Sequence, residues 1–152
     1  MDIDIIIPIY NAFDFVKKCI ETVIEHTDLT QHTLLLVNDK STDERILPLL
    51  NSFIKENQSL NIILIDNKDN QGFVRTVNIG MQYSHHDVVL LNSDTEVTRN
   101  WLSKIQNCAY SKPAVATVTP LSNNATLASV PVFLAENTIP PGLIRGKIAF
   151  DS

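Results

Sequence analysis

Val88-Val89-Leu90-Leu91-Asn92-Ser93-Asp94-Thr95-Glu96 passes from an unbroken apolar run to a polar cluster carrying two carboxylates. A strand that is apolar on both faces belongs inside a covered sheet, which is the habit of parallel sheets. Asp94 follows a fully apolar strand, so its carboxylate is expected at the rim of that sheet. Asp94 and Glu96 stand two apart, the spacing that puts side chains on one side of an extended segment. Hard oxygen ligands at such a rim suit Mg²⁺ or Mn²⁺. Glu96 is expected to be solvated rather than a ligand.

The run is one of five. Ile5-Ile6-Ile7, Leu34-Leu35-Leu36-Val37, Ile62-Ile63-Leu64-Ile65 and Val115-Ala116-Thr117-Val118 share its lack of alternation, and the starts recur about every 26 to 29 residues, close to one βαβ unit. The intervening segments show helical periodicity. Phe13 to His26 places Phe13, Val16, Ile20, Val23 and Ile24 on one face. Ser41-Thr42-Asp43-Glu44 offers a cap and an acidic first turn before Ile46, Leu47, Leu50, Phe53 and Ile54. Gly72 opens a helix from Phe73 to Tyr83, and Asn100 is placed to cap one carrying Trp101, Leu102, Ile105 and Cys108, with Trp101 in the core. The expected fold is α/β with a mostly parallel sheet flanked by helices, and ligands in such folds gather at the carboxyl ends of the strands. After Pro120 the periodicity stops; Pro131, Pro140, Pro141 and Gly142 interrupt any long element.

Bulk properties exclude several classes. The chain has 152 residues, 44% of them hydrophobic, and a formal net charge of -5, which suits one domain with a real core. Acidic and basic residues are mixed and form no basic stripe, so a phosphate-tracking nucleic-acid surface is not expected. The apolar runs are too short to span a bilayer. Met1-Asp2-Ile3-Asp4 leads straight into a strand, so no signal peptide is expected and the location is expected to be cytoplasmic, with a peripheral position at the inner membrane face left open. Cys19 and Cys108 are both expected to be buried thiols. His85 and His86 are adjacent and point apart, a poor zinc pair.

The remaining candidates cluster at predicted strand ends. The first strand runs into Pro8-Ile9-Tyr10-Asn11, with neither a Gly-x-Gly-x-x-Gly turn nor a Gly-Lys-Ser/Thr phosphate loop, so phosphate charge must be met otherwise and a divalent metal is the natural substitute. Asp39 ends the second strand, where a carboxylate can accept from a nucleobase ring N–H. Thr42 or Asp43 would cap the next helix, leaving Asp39 less engaged. The third strand leads into Asn67-Lys68-Asp69-Asn70-Gln71-Gly72, where Gly72 frees backbone beside a helix N-terminus, a natural anion site. Arg75 and Asn78 lie one turn apart and can face one pocket.

Taken together, Ile5-Ile6-Ile7-Pro8-Ile9-Tyr10-Asn11, Val37-Asn38-Asp39-Lys40-Ser41-Thr42-Asp43, Asn70-Gln71-Gly72-Phe73-Val74-Arg75 through Asn78-Ile79-Gly80, and Leu90 through Val97 resemble, in order, the motifs of family 2 glycosyltransferases of the GT-A (Rossmann-like) fold. The Leu-Asn-x-Asp-Thr-Glu-Val stretch looks most like rhamnosyl-type transferases of bacterial surface polysaccharides. The resemblance implies a UDP- or dTDP-sugar donor and a saccharide or lipid-linked saccharide acceptor, with inversion at the anomeric carbon. Pro8, Tyr10 and Asp39 would hold the uracil or thymine, and Asn70, Gly72 and Arg75 would line the base and diphosphate region. Asn11, Asn78, Asn92 and Ser93 complete the nucleotide-binding set it implies. Asp94 matches the metal-binding Asp of the family's Asp-x-Asp motif; Asn92 stands at the first acidic position, and an amide is a weaker ligand. Residues 1–120 then read as the nucleotide-sugar-binding domain and 121–152 as the irregular start of an acceptor region. Beyond Pro120 the acids are Glu136 and Asp151, neither in a recognisable motif, so the catalytic base is expected outside this chain and the chain alone is expected to be a poorly active donor half. A non-catalytic nucleotide-sugar-binding module is the alternative. A receiver domain would need an acid pair after the first strand, and a nucleotidyltransferase a Gly-rich basic loop there; Pro8-Ile9-Tyr10 supplies neither.

Overall fold

The computed structural model describes residues 1–120. Packing divides the chain into two units, Met1–Thr95 and one beginning at Glu96. The first holds β1 (Ile3–Ile9), α1 (Phe13–His26), β2 (Thr33–Asn38), α2 (Ile46–Glu56), β3 (Ile62–Asp66), α3 (Phe73–Tyr83) and β4 (Asp87–Leu90). The second contains α4 (Trp101–Ala109), with Trp101 and Leu102 buried.

All pairings are parallel, in the order β3-β2-β1-β4. The chain adds strands on one side of β1 twice and then crosses back, so β1 lies at the reversal in strand order. The crevice at the carboxyl ends beside such a reversal is where open α/β sheets take ligands. Register is fixed by Ile6 opposite both Leu35 and Leu90, and by Asn38 opposite Asp66.

The unbroken apolar runs mean different things in the middle and at the margins. Every residue of β1 is buried, as is all of β2 beyond Thr33. In β3 and β4 most positions are only partly buried or exposed, and Ile63 and Leu90 are exposed. These two are the outer strands, so the expectation of covering on both faces holds only for the inner pair. The fifth apolar run, Val115–Val118, is not a strand: residues 111–117 are exposed. The run follows Lys112-Pro113-Ala114 and finds no strand partner among the described residues.

Helix α3 packs on β1 and β2. Gly80 makes this approach possible, because a Cβ there would lie 2.7 Å from the Ile6 Cγ2 and 3.2 Å from the Val37 Cγ2. α1 spans the expected residues and buries Val16, Cys19, Ile20, Thr22 and Val23, with Phe13 and Ile24 half-buried. The Arg45 guanidinium stacks on the Phe13 ring, 4.4 Å from its centroid. The expected caps are corrected. α2 begins only at Ile46, with no acid in its first turn; Asp43 instead accepts from the Arg45 N–H (3.0 Å). Asn100 stands at the N-cap of α4, but with φ 62° and no side-chain capping bond. Cys108 is exposed rather than buried, while Cys19 is buried as expected.

At the amino end of the sheet Asp4 is buried. It accepts from the Ser84 hydroxyl (2.7 Å) and the His85 N–H (3.2 Å), and its Oδ1 lies 3.2 Å from the His86 Nδ1. Nearby, the His32 Nδ1 accepts from the Ile3 N–H (3.2 Å), and His32 itself is buried.

Candidate functional site

At the opposite, carboxyl end, a pocket of about 280 Å³ is lined by Pro8, Ile9, Tyr10, Asp39, Asn70, Gly72, Phe73 and Thr76. The end of β1, the end of β2 and the start of α3 each supply a wall. Tyr10 is about half exposed (49%), so its ring presents a face to an incoming group.

Asp39 is the centre of this wall and only 4% exposed. Its Oδ1 accepts from the Gln71 N–H (2.7 Å) and the Asn67 side-chain amide (3.0 Å), and its Oδ2 from the Gly72 N–H (2.8 Å). Its own N–H donates to the Ile9 carbonyl (2.8 Å), which continues the β1–β2 ladder one step. Burial pushes the carboxyl pKa up. The Gln71 N–H, the Asn67 amide, the Thr76 hydroxyl and the Gly72 N–H outweigh it, and the net result lies below the ordinary carboxylate value. The expectation of a lightly engaged Asp39 is therefore corrected: the acid clamps the loop that leads into α3. Gly72 has φ 77° and ψ 163°, a combination essentially restricted to glycine. It aims the Gly72 N–H back at Asp39 instead of along the helix.

The structure gathers Pro8, Tyr10, Asp39, Asn70 and Gly72 about one pocket, and the Asn70 amide donates to the Asp39 carbonyl (3.2 Å). Asn11 lies next to it and is committed to a loop-to-loop brace. Its Oδ1 accepts from the Thr42 N–H (2.8 Å) and the Asp43 N–H (2.9 Å), and its own N–H donates to the Ser41 hydroxyl (2.9 Å). Arg75 and Asn78 are exposed on α3 and are not among the lining residues.

Asn92, Ser93 and Asp94 form a turn after β4, closed by the Thr95 N–H donating to the Asn92 carbonyl (3.1 Å). That carbonyl also lies 3.6 Å from the Cys19 Sγ, which ties the turn to α1. Asp94 is exposed in this turn and not in an extended segment, so the alternation argument that paired it with Glu96 does not hold; Glu96 begins the second unit. Among the described residues no group of three His, Cys, Asp or Glu side chains could hold a metal by itself. One carboxylate and one amide at an exposed turn still fit a divalent ion that takes its other ligands from substrate phosphates and water, the usual coordination of Mg²⁺. Glu136 and Asp151 lie outside the described residues.

Sequence reasoning passed over Asn67, Ile9, Phe73 and Thr76. Asn67 had a signal in the register. Because Asn38 pairs with Asp66, the next residues of the two strands, Asp39 and Asn67, also lie side by side.

The profile of glycosyl transferase family 2 matches residues 4–139. The chain belongs to this family. Its family relatives include polypeptide N-acetylgalactosaminyltransferase 11 of Xenopus tropicalis, 31% identical over 104 residues that make up 66% of this chain and 17% of that protein. They also include poly(ribitol-phosphate) beta-glucosyltransferase of Bacillus spizizenii, 33% identical over 73 residues, 47% of this chain and 11% of that one. The mannosyltransferase PcManGT of Pyrobaculum calidifontis, solved with GDP-Man and Mn²⁺, superposes with a TM-score of 0.73 at 17% identity, over 79% of this chain and 35% of that one. The family fold is thus the GT-A arrangement of a parallel sheet flanked by helices. The chain spans about a tenth to a third of the length of these proteins. No helix among the described residues is long and apolar enough to cross a membrane.

Proposed function

We propose that this chain is the donor-binding part of a glycosyltransferase that moves a sugar from a UDP- or dTDP-sugar to an acceptor hydroxyl. The observation that carries this is the Asp39 carboxylate in the wall of the pocket. A carboxylate has about four acceptor sites. Direct hydrogen bonds take two on Oδ1 and one on Oδ2. The Thr76 hydroxyl also donates to this carboxylate, and rotation of its O–H on ligand entry would free the fourth site. One incoming N–H can therefore be accepted at Oδ2, which matches the single imide N–H of uracil or thymine. Guanine presents two adjacent donors that call for both oxygens, and Oδ1 is already filled. Tyr10 offers its exposed ring for stacking on the base.

The diphosphate would lie toward the β4 turn. β2 and β4 flank β1, so the two strands stand two spacings apart across the sheet, about 10 Å. Asp94, with Asn92, would hold a divalent cation there, which neutralises charge on the departing diphosphate. Arg75 in the first turn of α3 and Asn78 in the second are exposed and would be available to the same phosphates. A base beyond the described residues would deprotonate the acceptor hydroxyl on the face opposite the leaving group, giving inversion. The similarity to the poly(ribitol-phosphate) glucosyltransferase supports a role in bacterial surface polymer synthesis. That role would be carried out in the cytoplasm by a longer protein whose acceptor region begins near residue 121.

Calorimetry with UDP, GDP and uridine, each with and without Mn²⁺, tests the reading. UDP is expected to bind at least tenfold tighter than GDP, and Asp94→Ala to remove the Mn²⁺-dependent part of UDP affinity while the fold survives. Equal affinity for UDP and GDP would remove the base-reading role of Asp39. An unchanged Mn²⁺ effect in Asp94→Ala would remove the metal role of Asp94. Transfer by the longer protein separates an enzyme from a binding module.

A further inference from the structure

We propose that Asn67 is a positioning residue for nucleotide recognition: its side-chain amide, held between Asp39 and Thr76, sets the direction in which the Asp39 carboxylate meets the pocket. The inference rests on the reading of Asp39 given above and extends it to a residue that touches no ligand.

Besides the Thr76 hydroxyl, three donors grip Asp39, and they are not equivalent. The Gln71 and Gly72 N–H groups belong to the loop before α3 and move with it. Asn67 is anchored on the sheet. It follows β3 directly, and its N–H donates to the Asn38 carbonyl (2.9 Å), one rung past the last β2–β3 pair. That rung needs only a backbone, so any residue other than proline could supply it. The side chain has separate work. Its Nδ2 carries two hydrogens; one goes to the Asp39 Oδ1 (3.0 Å) and the other to the Thr76 hydroxyl (3.3 Å). Thr76 is 1% exposed and sits in the first turn of α3, its N–H donating to the Gly72 carbonyl (3.0 Å). One amide therefore couples the end of β2, the end of β3 and the start of α3. With its orientation fixed by two acceptors, it fixes that of the carboxylate in turn.

Aliphatic replacements would fill the space and leave Asp39 gripped by the loop and the Thr76 hydroxyl, with no donor from the sheet. The donors that hold this carboxyl below its ordinary pKa are all neutral: Gln71, Asn67, Thr76 and Gly72. The acidic residue nearest on the neighbouring strand, Asp66, is engaged by the Asn38 amide (2.7 Å). Loss of the Asn67 donor therefore registers at Asp39 itself.

The test uses the full 152-residue chain, with the Asp39 carboxyl carbon followed by NMR as pH is changed, and with UDP and uridine as the binding probes. Asn67→Ala is expected to raise the Asp39 midpoint by about one pH unit and to weaken UDP about tenfold. Asn67→Asp keeps the shape and reverses the electrostatics. Two adjacent carboxyls then share a proton, so uridine, which carries no titrating phosphate, should bind tighter as pH falls from about 8 to about 6, where the wild type is flat. A space-filling role alone would not produce that inversion. An unmoved Asp39 midpoint in Asn67→Ala, with UDP affinity within twofold, overturns the assignment of Asn67 alone. A raised midpoint with unchanged UDP affinity overturns the base-reading role of Asp39, and the role of Asn67 with it. Should both Asn67 variants fail to fold, Thr76→Val removes the second acceptor at nearly constant volume. It is expected to shift the midpoint in the same direction by a smaller amount, and no shift there overturns the proposal.

Discussion

Asp4 and Asp39 are the two buried acids of the described residues, 5% and 4% exposed, and they sit at opposite ends of one sheet. Both are pushed up by burial and brought below the ordinary carboxylate value by hydrogen bonds. Both fasten the loops flanking α3: Asp39 the one that enters it, Asp4 the one that leaves it for β4. They differ in what lies beyond the clamp. Every partner of Asp4 comes from Ser84–His86, whereas Asp39 also forms the wall of a cavity shared by three elements. Burial, low pKa and satisfied oxygens therefore describe a structural fastening. A carboxylate becomes a recognition group only where the fastening leaves acceptor capacity facing open space.

The largest effect that would break this comparison is expected from Asp39→Ala. It strips acceptors from two backbone N–H groups and a buried amide, so denaturant unfolding should show a loss of about 3 kcal/mol. Calorimetry should show no UDP binding. Retained uridine affinity would place Asp39 in the same purely structural class as Asp4. Gly72→Ala comes next. Space is available for the methyl group, but the backbone conformation is not. A loss of about 2 kcal/mol is expected from the strain, together with weaker UDP binding as the Gly72 N–H turns from Asp39. Asp4→Ala should cost about 1.5 kcal/mol through its freed Ser84 and His85 partners. UDP affinity should be unchanged, and a matching loss of binding would show that the two ends of the sheet are not independent.

The smallest expected effect concerns pH. Burial holds the His32 pKa below its ordinary value against the pull of Asp28 and Asp2. The unfolded chain thus takes up a proton near pH 6.5 that the folded chain refuses. Stability should fall as pH drops below about 6.5 and level off once the folded form also titrates. His32→Asn, which can keep an acceptor for the Ile3 N–H, should flatten that slope in pH-dependent melting. Asp4 and Asp39 act lower on the scale. Their contribution is present above the unfolded carboxylate value of about 3.8 and is lost as pH falls through their lower folded values.

Much of the sheet was legible because unbroken apolar runs spaced one βαβ unit apart leave little else to build. The inner strands and the bounds of α1 and α3 followed from periodicity. Val115–Val118 had the composition of a strand without a neighbour, which composition cannot report. The α2 cap was misplaced because Asn11, 31 and 32 residues away, satisfies the Thr42 and Asp43 N–H groups that a local cap would have used. Asp39 was visible as a strand-end acid. Its three donors were not, since they come from residues 67 to 72 and meet it only through the β2–β3 register. Asp94 stood out for the same reason as Asp39, yet a turn decides where its carboxylate points.

Pro8 has one further consequence. It sits within β1, an inner strand, where the missing N–H should forfeit a rung. The Ile6 carbonyl bonds toward β4 and the Ile9 carbonyl toward β2, so Pro8 shares the β4 side with Ile6. β4 pairs no further than Leu90 opposite Ile6. The proline therefore lies just above the point where that neighbour peels away, and nothing is forfeited. It also leaves a notch that no extended segment can close by pairing, from this chain or another copy. The mouth of the cleft is guarded against being zipped shut by the one imino acid in its floor.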